Sequence, residues 1–297
     1  MKIETTLYFF TSMAGNNLIS KNWLQQKKVF NENLILSRKR PTKLFVHDLR
    51  VSIKKMRSYL RLKEELTKDE WKESFSKISA LFKSFGRLRD YDMSLTLIRK
   101  VERKELLSFI YFKEYLSVNR SLTRKWAKQD ALKFNEQEPD VFNQQFDFLP
   151  DSKEEVCEKI IQLSALKIKK LKNLAKHFQK NAHEIRKQLK DLYYWLKICP
   201  RGVAEGFINM RVLDRILTYL GNWQDHVILK KKIKQYTKDL PKKNEEKEML
   251  KSCNKKLETA QKQILNRAIK KWEEIGNKRV TRSLAFSAPE GNALKHT

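Results

Sequence analysis

Two stretches of this chain, 136 residues apart, share one arrangement of apolar and charged residues, and that repetition restricts the fold more than any other feature. VHDLRVSIKKMRSYLRL at 46–62 aligns without a gap on AHEIRKQLKDLYYWLKI at 182–198. Further along, FGRLRDYDMSL at 85–95 aligns on LGNWQDHVILK at 220–230 at an offset of 135, matching Gly86 with Gly221 and Asp90 with Asp225. Two halves built to one plan follow. The apolar residues recur at three and four positions, the helical period, and seven Gly and six Pro in 297 residues leave few breakers. The fold class is therefore all-α, with two halves of one plan. Helices are predicted over about 17–38, 43–66, 69–85, 90–103, 106–132, 153–179, 181–198, 206–221, 223–238 and 243–276. A single domain over 1–280 then divides into a first half at 17–134, a connector at 135–152 and a second half at 153–276. The connector, NEQEPDVFNQQFDFLPDS, has two prolines and no helical period, and 282–297 reads as a loose tail.

Charge narrows the partner. Lys and Arg number 64 against 35 Asp and Glu, a formal +29, which opposes compaction and calls for an anion: nucleic acid, an anionic membrane or a phosphate polymer. An apolar fraction of 40%, with 16 Phe and six Trp, is too high for a disordered basic chain, so the charge sits on a packed protein. Cys157, Cys199 and Cys253 are odd in number and widely spaced, which fits neither a disulfide framework nor a zinc site; they read as reduced, buried thiols. The apolar run Leu7–Phe10 is too short for a signal peptide or a spanning helix, and a cytoplasmic location is expected.

The chemistry lies in a stripe. His47, Arg50, Lys54, Arg57 and Arg61 are spaced 3, 4, 3 and 4, which confines them to an arc of roughly 80° and a run of about 21 Å along one helix. That length meets several successive phosphates. His183, Arg186, Lys190 and Lys197 repeat the stripe, with Tyr193 in place of Arg57. A charged stripe is commonly a solvated face, but a solvated helix needs one polar face. Here Val46, Leu49, Ile53, Met56 and Leu60 flank the stripe on one side and Leu44, Val51 and Leu62 on the other, while Asp48, Ser52, Lys55 and Tyr59 form a second polar face. The stripe is expected in a groove or internal channel, where like charges repel until an anion neutralises them. In the second repeat Lys187 replaces Val51, which weakens one border.

Further basic rows, Lys113, Arg120 and Arg124 on one helix and Lys169, Lys172 and Lys176 on another, fit the same surface or are solvated faces. Guanidinium forks grip phosphate oxygens and Lys adds mobile charge, so a mixed lining suits a phosphate chain. His47 and His183 are open to metal ligation, phosphate contact or hydrogen bonding at a helix start, with phosphate contact preferred. Asp90 and Asp225 are expected to support, by orienting arginines or the histidines or by capping a helix, since a carboxylate facing phosphate is repelled.

HDLRVSIKKMR, then GRLRDYDMSL, then a second His-x-x-Arg helix, together resemble the CHAD family, the conserved histidine α-helical domain. The likeness covers about residues 17–276 and is strongest at His47, Arg50, Val51, Lys54, Arg57, Arg89, Asp90, His183, Arg186 and Lys190. It implies two four-helix units related by an approximate twofold, a basic central cavity that binds inorganic polyphosphate, association with polyphosphate granules, and no catalytic machinery or cofactor. Some relatives carry a triphosphate-tunnel domain; the start of this chain offers no ExExK motif or run of alternating strands, so that activity is not carried over. Tyr193, Gln224 and Lys187 depart from the family pattern, and a weaker grip by the second half is expected.

Other function classes fit less well. His47-Asp48 is similar to the start of HD-type phosphohydrolases, which also need an upstream His, and none precedes His47. His183-Glu184 lacks the second His that a zinc-protease helix requires, position 187 being Lys, and there is no P-loop. Non-specific nucleic-acid binding is the strongest alternative, yet no helix-turn-helix, zinc knuckle or Arg-rich arm supports it. Phe75, Phe82, Phe85, Trp195 and Trp223 fall at core-like positions rather than on a base-stacking platform. A membrane-surface role needs a helix with an exposed apolar face, whereas each helix here is expected to have helical partners.

Overall fold

A computed structural model describes residues 18–134, 142, 152–241 and 243–277 of the chain. The connector at 135–152, apart from Phe142 and Ser152, and the tail at 282–297 lie outside these. Nine helices and no strand occur among the described residues: α1 Leu18–Lys39, α2 Lys43–Thr67, α3 Ser76–Glu105, α4 Ile110–Lys133, α5 Lys153–Ala175, α6 Phe178–Leu196, α7 Arg201–Phe207, α8 Met210–Lys238 and α9 Glu245–Asn277. None is long and apolar enough to cross a membrane.

Local chemistry sets the helix ends. The Thr42 hydroxyl accepts from the Phe45 amide, Ser152 does the same for Glu155, and the Asn209 side chain accepts from the Val212 amide, each satisfying a donor that has no intrahelical partner. Lys68 and Leu106 take left-handed φ values of 66° and 52° where α2 and α3 stop. Two corrections to the sequence reading concern α3 and α8. The breaks expected at 86–89 and near 222 are absent, because a single mid-helix glycine costs only about 1 kcal/mol against alanine and packing offsets it. The short α7, by contrast, was not expected; it follows Pro200 between α6 and α8.

In the first half α1 packs on α2, α2 on α3, α3 on α4 and α4 back on α1; in the second, α5 packs on α6, α6 on α8 and α8 on α9. The halves meet through equivalent elements, α2 on its repeat partner α6 and α3 on its repeat partner α8. This pairing is the pseudo-twofold implied by the repeat. Apolar burial runs across it: one core cluster joins Leu49, Ile53 and Phe85 to Val156, Ile160 and Trp195, and another joins Tyr91, Ile98 and Phe112 to Leu229, Ile233 and Leu257. Trp195 donates its indole N–H to the Ser58 carbonyl at 2.8 Å in this buried seam. All three cysteines are buried and unbridged.

The expected second polar face of α2 is the third correction. Ser52 and Tyr59 are buried, the Ser52 hydroxyl satisfying itself on the Leu49 carbonyl, while the flanking Leu44 is 63% exposed. Thus α2 is enclosed on nearly every side from Leu49 to Leu62, and its cations cannot all reach bulk water.

Candidate functional site

The α2 and α6 stripes face each other at the pseudo-twofold. Lys54 and its repeat equivalent Lys190 are neighbours, and Arg50, Arg186 and Arg89 stand within electrostatic reach of both. The amine of Lys54 is pushed down to about 5, first by burial and then by repulsion from Lys190, Arg50, Arg186 and Arg89. Lys190 falls to about 8, chiefly through burial and then through Arg186, with its contact to Lys54 acting in the opposite sense. Burial and mutual repulsion therefore favour the loss of a proton from this pair, with Lys54 the more strongly lowered of the two. Burial also lowers Arg50 to about 10, with Asp90 opposing the shift and Arg89, Arg57 and Arg186 adding to it.

Two carboxylates enter this cluster. Asp225 accepts from Arg89 at 2.6 Å, and Asp90 lies 3.6 Å from the same guanidinium; burial raises the Asp90 carboxyl against the pull of Arg89 and Arg50. They serve Arg89 and not the histidines. His47 is exposed near the start of α2, and His183 is exposed and contacts the Gln224 side chain at 3.2 Å. Both mark the outer ends of the stripes.

The far end of the α2 stripe is different. Arg57 donates to the Ser79 hydroxyl at 3.4 Å, and Arg61 makes a two-oxygen fork on Asp191 at 2.8 and 3.0 Å. A cleft of about 550 Å³ opens here, lined by Arg57, Arg61, Phe82, Lys83 and Lys167 among others. The repeat offset maps Arg61 onto Lys197 and Asp191 onto Lys55, so the equivalent contact in the other half sets two lysines together, and the exposed Lys197 depresses Lys55 after burial has done so. One half closes this contact as an ion pair and the other leaves it as like charges.

Not every basic row joins the cluster. Arg120 is ion-paired with the buried Asp92, and Arg124 neighbours Arg120, Asp92 and Arg40, which makes a separate, smaller group at α4. Lys113 pairs with Glu102 at 2.9 Å. Lys169, Lys172 and Lys176 are exposed on the outer side of α5. On the inner side Lys167, overlooked in the sequence, lies 4.4 Å from the Trp195 ring and lines the cleft. Its position among Ser164, Ile168 and Leu171, all buried, was the available signal. Phe82, assigned to packing from its spacing, does pack half-buried against the core, and it also stands among the cations. No group of three or more His, Cys, Asp or Glu able to hold a metal occurs among the described residues.

The family model described as CHAD domain matches residues 29–234 of the chain. Among solved structures, the crystal structure of the CHAD domain from the plant Ricinus communis superposes with a TM-score of 0.63 at 16% identity, covering 84% of this chain and 89% of that one. At that identity the likeness is one of fold. No curated protein matches the chain.

Proposed function

The chain belongs to the CHAD domain family, and from that membership together with its cation cluster we propose that it is a non-catalytic binder of inorganic polyphosphate, held along a basic channel between the two repeats. The observation that carries the reading is the internal excess of charge. Arg50, Lys54, Arg89, Arg186 and Lys190 gather from both halves around two carboxylates, Asp90 and Asp225, and burial followed by this crowding lowers Lys54 to about 5. Two like charges 6 Å apart at an effective dielectric of 20 repel by about 3 kcal/mol, so an anion seated here relieves a standing cost. Stability alone gives no reason to collect such residues; ligand binding does.

A polymer suits the arrangement better than a single small anion, since cations continue from the cluster through Arg57 to Arg61 and the Lys167 cleft. Guanidinium and ammonium groups recognise phosphate oxygens and need no bases. Action in the cytoplasm, at polyphosphate granules, belongs to the same proposal.

Titration of the protein with long-chain polyphosphate and with single- and double-stranded nucleic acid at physiological salt tests it, beside an Arg50→Ala/Lys54→Ala/Arg186→Ala/Lys190→Ala variant. Preferential polyphosphate binding that the variant loses is the expected result. Equal binding of every polyanion, unchanged in the variant, overturns it in favour of a diffuse basic surface of the kind that holds nucleic acid.

A further inference from the structure

Two arginines of the first repeat, with Lys54 beside them, converge on one aromatic ring. The guanidinium carbon of Arg50 lies 4.1 Å from the centroid of Phe82, that of Arg57 4.7 Å, and the Lys54 nitrogen 5.9 Å. Arg50 also donates from Nη1 to the Phe82 carbonyl at 2.6 Å. Gly86, one turn further along α3, makes room for this: a Cβ there would stand 2.7 Å from that same Nη1. An aromatic face is electron-rich and draws cations to it, so one ring offers a common seat to groups that repel each other.

The second repeat has none of these features. The offset of 135 places Leu217 where Phe82 stands and Asp214 where Ser79 stands, and Tyr193, in the Arg57 position, has Asp214 as a charged neighbour. A Cβ on Gly221 would meet nothing within 4 Å. Arg186, the equivalent of Arg50, has its Nε buried with no partner.

We propose that Phe82 is a positioning residue for the bound polyanion: its ring holds Arg50 and Arg57, and its carbonyl Arg50, at set spacing in the empty protein, making the first repeat the preordered half of the site and Arg186 the half that is ordered by the ligand. This rests on the polyphosphate reading of the cluster. Cations already fixed lose little side-chain freedom when phosphate arrives, whereas Arg186, with Asp225 near it but its Nε unpartnered, still has a bond to make on binding. The two halves thus contribute the same charges with unequal readiness.

Phe82→Leu copies the residue of the second repeat and removes no charge; Phe82→Tyr keeps a ring. Affinity for long-chain polyphosphate is measured across a salt series, with thermal midpoints alongside. Phe82→Leu is expected to weaken binding about tenfold while leaving the slope of log affinity against log salt unchanged, because no phosphate contact is deleted. Phe82→Tyr is expected to stay within about twofold of the parent. Arg50→Ala, as the contrasting control, lowers that slope by about one contact. Affinity unchanged in Phe82→Leu, or an equal fall in Phe82→Leu and Phe82→Tyr, overturns the positioning role while the polyphosphate reading stands. If the parent itself shows no preference for polyphosphate, both fall together.

Discussion

Replacing Lys54 by Met should stabilise the empty protein, and by an amount that depends on pH. In the unfolded chain this lysine has its ordinary value of 10.5, whereas in the folded one burial and then four neighbouring cations hold it at about 5. Between those values the unfolded state carries a proton that the folded state has lost, so each unit of pH below 10.5 costs the native state about 1.4 kcal/mol until the folded value is reached. At pH 7 the penalty is at most about 5 kcal/mol, and it shrinks as pH rises. Methionine keeps a long flexible stem and carries no charge. Urea denaturation at pH 6.5 and 8.5 is the assay. The stability of the parent should rise by about 2–3 kcal/mol across that interval relative to the variant, and the variant should be the more stable at pH 6.5. Parallel pH dependences, or a variant less stable than the parent at pH 6.5, would refute the argument that Lys54 is held neutral by its surroundings.

The same neutral lysine predicts proton uptake on binding. A phosphate chain beside Lys54 restores its charge, so calorimetric titrations at pH 7.5 in buffers of different ionisation enthalpy should report about one proton taken up, and none at this site in Lys54→Met. The two equivalent glycines should respond differently to alanine. Gly221→Ala meets open space and should raise stability by about 1 kcal/mol without touching affinity, while Gly86→Ala displaces the Arg50 guanidinium and should weaken polyphosphate binding severalfold; melting curves and titrations read both. Trp195→Phe removes the indole donor from the buried Ser58 carbonyl, which keeps its helical donor, and should cost about 1 kcal/mol in urea denaturation.

Helical period determines the azimuth of each residue on its own helix, and so much of the architecture was legible before any tertiary contact was known. The all-helical class, the two halves and the shared face of Arg50 with Lys54 and of Arg186 with Lys190 all follow from spacing. Azimuth on one helix does not say which face of another helix it meets. That Arg61 finds Asp191 while its equivalent Lys197 finds Lys55, that Arg120 is drawn to Asp92, and that Lys169, Lys172 and Lys176 face outward are decided by packing between residues far apart in the chain. Phe82 and Lys167 were passed over for the same reason: an aromatic at a core spacing and a lysine in a basic run look ordinary until their neighbours are in place. Gly86 looked like a helix end because glycine is a poor helix former, and only the guanidinium lying against it explains why a side chain is missing at that point in an unbroken helix. Spacing along the chain fixes most of the helices, their repetition and the charge they carry; contacts between helices set which charges are answered by carboxylates and which are left for a ligand, because that balance depends on distances and burial between helices and not on order along any one of them.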